Sequence, residues 1–141
     1  MKGGENMLSV NFLAILVAAI ANMVIGFVWY GPLLGKQWMK LSGRTKESMV
    51  KEKKDMPMVM GSMFVGALVM VYILALFVKY AGATTLEIGA KVGFLAWLGF
   101  VATTMLQDVL YEKKNRQLAG INLGFNLVAL VIAGAIIAVW K

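Results

Sequence analysis

The chain has 141 residues, 60% hydrophobic and only 15% charged, with a mean hydropathy of +0.77. Soluble domains carry about a quarter charged residues, so this apolar excess calls for lipid as the solvent. The chain contains no Cys and no His, which excludes disulfides, thiolate and imidazole chemistry and the commonest zinc and haem ligands, and its net charge of +7 reads as loops facing anionic headgroups rather than as a nucleic-acid footprint.

The first apolar run covers 10–34. Ala19-Ile20-Ala21 has the small residues of a signal-peptide cleavage site, but the run continues far past Ala21 and only Lys2 precedes it, so it reads as a retained membrane helix. Asn22 lies near its middle, and Trp29 and Tyr30 at its end mark a membrane boundary. Pro32 lacks an N–H and disfavours helix at Gly31, which predicts a kink or stop there. Beyond it, Leu34, Trp38 and Leu41 recur at helical spacing with Lys36 and Lys40 turned away, the pattern of a short interfacial helix. The stretch 45–55 is charge-rich, with Glu47, Lys51 and Asp55 at i,i+4 spacing, and reads as one or two solvated helical turns.

Pro57 suits the start of a second helix, over 58–80, that Gly82 ends. Met56, Met60 and Met63 share a face at its entrance. Thioethers suit Cu(I), but methionine is more often an apolar filler, and no His or Cys stands nearby. Thr84 with Glu87 predicts a capping box opening a third helix over 87–111. There Thr104, Gln107, Asp108 and Tyr111 fall on one face, with Tyr111 at boundary level. The fourth run, 118–140, carries Asn122 and Asn126 one turn apart and ends on Trp140, a boundary aromatic.

Each run exceeds the length needed for about 30 Å of hydrocarbon, and only a helix satisfies every backbone group within one run. The expected fold is all-α, an integral membrane four-helix bundle of two antiparallel hairpins forming one domain over 1–141. The connection 35–57 carries Lys36, Lys40, Arg44, Lys46, Lys51, Lys53 and Lys54, and the connection 112–117 carries Lys113, Lys114 and Arg116. The opposite side holds Lys2, Lys79, Lys91 and Lys141. The positive-inside rule then puts both basic connections in the cytoplasm, against its anionic lipid, and both termini outside.

Small residues four apart (Gly31/Gly35, Ser62/Gly66, Gly89/Gly93, Gly120/Gly124) let helix backbones approach, within one chain or between copies. Four helices enclose little interior, which favours a homo-oligomer. Asn22, Thr104, Gln107, Asp108, Asn122 and Asn126 form a candidate intramembrane polar cluster. Such residues often mark transport paths, although Asp108, about 4.5 Å from boundary-level Tyr111, also suits an ion pair with Lys113, Arg116 or Lys36. Trp29, Tyr30, Trp38, Tyr111 and Trp140 read as interfacial anchors. No glycine-rich phosphate loop, catalytic triad or deep carboxylate pair is present, so neither an enzyme nor a cofactor is expected. The leading expectation is a structural or accessory membrane component. Its rival is a small transporter or channel subunit with a polar pathway around Asp108.

Three blocks carry a resemblance: 11–38 with Trp29-Tyr30-Gly31-Pro32-Leu33, Gly35-Lys36 and Trp38; 93–104 with Trp97-Leu98-Gly99-Phe100-Val101 and Thr103-Thr104; and 121–134 with Trp140. On these the chain resembles the small membrane proteins of domain-of-unknown-function family 1761. The resemblance implies four transmembrane helices and no catalytic residues to carry over. Where the family's fourth helix has an aromatic–His pair, this chain has Phe125-Asn126, so no titrating imidazole is implied here.

Overall fold

The structure is a computed structural model that describes residues 10–43, 47, 56–112 and 115–140. Apart from Glu47, the polar turns expected over 45–55 lie outside the described residues, as do the lysines at 113 and 114. All regular structure among the described residues is helical. Helix α1 spans Phe12–Val28, and Asn11 caps it by accepting the N–H of Ala14 at 3.1 Å. It runs into a π-helical segment, Trp29–Leu33, and a turn at Leu34 leads to the short helix α2, Gly35–Ser42. Helix α3 covers Met56–Tyr80, α4 Leu86–Ala96, and a second π segment, Trp97–Ala102, joins α4 to α5, Thr103–Tyr111. Helix α6 covers Arg116–Val139.

These elements form four apolar spans long enough to cross a membrane: Phe12–Leu33, Met56–Tyr80, Leu86–Tyr111 and Arg116–Val139, of 22, 25, 26 and 24 residues. The break at Pro32 occurs as expected. Gly31 takes a non-helical φ of −107° and ψ of −105°, and the Leu34 N–H reaches back five residues to the Trp29 carbonyl at 2.9 Å. Gly82, at φ +67°, closes the second span as expected, with the Ala83 N–H on the Val78 carbonyl at 3.1 Å. The capping box at Thr84 does not form. Thr85 is the N-cap and accepts the Ile88 N–H at 3.2 Å, so the third helical position is Ile88, which has no group to reach back. Glu87, shifted one place, pairs with Lys91 at 3.1 Å on the exposed face.

The fourth span is the hub: it packs against each of the other three, and the first span also packs against the second. The second and third touch little, leaving an apolar groove lined by Met70, Phe77, Phe100 and Val101 among others. The tightest packing lies far from the basic connections, where Ile15, Ala18, Val71, Leu74, Val78, Leu130 and Ala133 form the core. Ala18, Ala75, Ala83, Ala133 and Ala138 make up half of the buried residues of this cluster and let the helix backbones come close. Outward faces are apolar, with Val65, Val69, Ile73, Leu95, Leu98 and Phe100 all exposed. That inverts the pattern of a helix facing water.

The four glycine pairs separate by partner. A Cβ on Gly89 would run into the Gly134 carbonyl and one on Gly93 into that of Leu130, so this pair seats the third span on the fourth. Gly124 carries the Trp29 ring, which a Cβ would meet at 2.8 Å, and a Cβ on Gly35 would meet the Tyr30 carbonyl oxygen at 2.6 Å. Gly31, Gly66 and Gly120 face open space, and Ser62 is exposed.

Candidate functional site

The polar and aromatic groups converge on one stretch of the fourth span, residues 121–126. Three aromatic donors from two other spans reach it. The Trp29 indole N–H donates to the Ile121 carbonyl at 2.9 Å, the Tyr30 hydroxyl to Asn122 Oδ1 at 2.6 Å, and the Trp97 indole N–H to the Leu123 carbonyl at 3.0 Å. Asn126 then donates its amide to the Asn122 carbonyl at 3.0 Å. Rings close around these bonds: Tyr30 stands edge-on to Phe125 at 5.4 Å and to Trp38 at 5.7 Å.

The backbone explains the convergence. Both tryptophans open a π segment, and each is followed two residues later by glycine, Trp29-Tyr30-Gly31 and Trp97-Leu98-Gly99. A π turn offsets the helical register and re-aims side chains, and such turns recur at functional positions. The carbonyls of Ile121 and Leu123 sit inside α6, and such a carbonyl can take a second donor because it has two lone pairs.

The structure places the sequence-derived residues in three environments. Tyr30, Asn122 and Asn126 come together, while Trp29 and Trp38 stand half-buried beside them. Thr104 and Gln107 are exposed and join none of the asparagines by a hydrogen bond; the Thr104 hydroxyl instead donates to the Phe100 carbonyl of its own helix at 2.7 Å. Asp108 is half-buried near the end of α5, where its carbonyl accepts the Glu112 N–H at 3.0 Å. Asn22 is half-buried two turns before Trp29, and its Oδ1 is buried with no hydrogen-bond partner among the described residues. Tyr111 and Trp140 are exposed at their span ends, Tyr111 at 85%. Of the methionines, Met56 and Met60 are half-buried and Met63 turns outward.

Trp29 and Tyr30, expected as boundary aromatics, spend their polar atoms on the fourth span. Trp97 was legible only through the family resemblance. Its role could have been suspected from the repeated Trp-x-Gly, since a buried indole needs an acceptor.

A family model described as a protein of unknown function, DUF1761, matches residues 13–138. No curated protein and no solved structure matches the chain.

Proposed function

The chain belongs to DUF1761, a family of unknown function, and we propose that it acts as a structural or accessory component of a membrane, working through helix packing rather than through chemistry of its own. One observation carries this reading. Intramembrane polar groups that could line a path instead join helices, with Trp29, Tyr30 and Trp97 all donating to residues 121–123 of the fourth span. The Thr103 and Thr104 hydroxyls return to carbonyls of their own span, both at 2.7 Å. Interhelical bonds of this kind fix which helices associate in lipid.

The proposed placement has both termini outside and the connections 35–57 and 112–117 in the cytoplasm, against anionic lipid. The proposed assembly is a homo-oligomer, with the open small-residue face at Ser62 and Gly66 as the seam. Neither nucleic acid, cofactor nor enzymatic turnover belongs to this reading. Cysteines placed at Ser62 and Gly66 in this cysteine-free chain should cross-link copies within the membrane, and proteoliposomes should pass no ion under any imposed gradient. The rival reading, a small transporter or channel subunit with a pathway around Asp108, draws support from the buried Asn22 Oδ1 of the first span, which has no hydrogen-bond partner among the described residues. A flux abolished by Asp108→Asn or Asn22→Leu would establish that rival and end the structural reading.

A further inference from the structure

A cleft of about 490 Å³ lies between α2 and the first turns of α6, against the aromatic seam, with which it shares Trp29 and Ile121. Its volume falls within the range of small-ligand sites. Its floor is apolar, made of Leu34, Leu41, Ile121 and the Trp29 ring, while Lys40, Gln37 and Gln117 supply its polar lining. Lys40 is the one ionisable side chain among the lining residues, so the charge that the lining carries is positive. The Trp29 N–H is already taken by the Ile121 carbonyl. Lys40, Gln37 and Gln117 are exposed, so their polar groups stand open to a ligand from outside. Asn115 accepts the backbone N–H groups of Gln117 at 2.9 Å and Leu118 at 3.1 Å, so recognition falls to side chains rather than to the helix end. The cleft also sits just past the break of the first span at Pro32, where that span turns into the short helix α2.

We infer that this cleft binds one anionic phospholipid per chain, with Lys40 on the phosphate, Gln37 and Gln117 on phosphate or glycerol oxygens, and the first acyl carbons on Trp29, Leu34 and Leu41. Charge and polarity together select this occupant. Free phosphate satisfies Lys40 but leaves the apolar floor wet, and a zwitterionic lipid carries no net charge to match the lysine. The inference rests on the proposal that the four spans cross a membrane.

The test uses the full chain extracted in a neutral detergent and titrated with phosphatidylglycerol, phosphatidylcholine or inorganic phosphate, with bound lipid counted by native mass spectrometry. One phosphatidylglycerol per chain should be retained in preference to phosphatidylcholine. Lys40→Gln should weaken it about tenfold, the scale of one charge-assisted hydrogen bond. Gly120→Phe should do the same by filling the cleft, because a Cβ at Gly120 meets nothing within 4 Å and the fold has room for it. Lys36→Gln, exposed and outside the lining, should leave binding unchanged. Equal retention of both lipids, wild-type affinity in Lys40→Gln, or displacement of the lipid by equimolar phosphate would each overturn the inference. Recovery of the chain without detergent would remove the membrane premise itself, whereas detergent-dependent extraction with no lipid preference would sink only the cleft.

Discussion

Tyr30 and Asn122 share the shortest interhelical hydrogen bond among the described residues, at 2.6 Å. Bonds of this type in a bilayer contribute about 0.6 kcal/mol on average and at most about 1.7, because separated helices find other partners. Tyr30→Phe should therefore lower unfolding free energy in mixed micelles by about 1 kcal/mol. Asn122→Ala should cost about as much, since it removes the acceptor of the same bond, and the double variant should lose less than the sum of the two singles. An additive double variant would show that the pair is not coupled. Glycines give a sharper contrast. Gly93→Val places a side chain against the Leu130 backbone and should force the third and fourth spans apart, with a loss of several kcal/mol or failure to fold. Gly66→Val meets open space and should leave the monomer's melting temperature within a few degrees of wild type. Both glycines look alike in the sequence, since four-residue spacing says that a backbone can be approached but not by what.

At the scale of elements, the two π segments do what no regular helix could do with the same residues. The first sits where Pro32 cannot donate to the Val28 carbonyl and Gly31 leaves helical geometry. It directs Trp29 and Tyr30 at the fourth span and sets the angle of α2, so that Trp38 returns to the Tyr30 ring. Pro32→Ala restores the missing donor and should let the first span continue as a straight helix, carrying α2 away from α6. Cysteines at Gln37 and Gln117, which line opposite walls of the cleft, should then cross-link poorly, while the same pair with Pro32 intact should cross-link well. Unchanged cross-linking would place the cause of the bend elsewhere. The break itself was legible, because proline acts through its own covalent geometry. The π register was not, and neither was the start of the third span at Thr85 rather than Thr84. Thr84 has the better local signature, with Glu87 three residues on, yet Thr85 serves as the cap of the helix whose Gly89 and Gly93 meet the fourth span.

For the whole molecule, the orientation proposal has a direct check in a chain without cysteine. Glu47 and Thr84, the sites for Glu47→Cys and Thr84→Cys, are both exposed, and the proposed topology puts their connections on opposite sides of the membrane. In intact cells a membrane-impermeant maleimide should label the second and spare the first until the membrane is opened; the reverse pattern would invert the topology. Composition and periodicity determined the all-α class, the four apolar spans and their ends at Pro32 and Gly82, because each follows from solvent transfer or from one residue's own geometry. The tertiary structure alone decided that the fourth span is the hub, that Asn122 pairs with Tyr30 while Asn126 and Thr104 turn back on their own helices, and that Asn22 Oδ1 is buried without a partner among the described residues. Those outcomes depend on which helix faces which and at what rotation. Every face of these apolar spans is nearly as hydrophobic as the next, so hydrophobic patterning carries no such information and close packing with a few hydrogen bonds settles it.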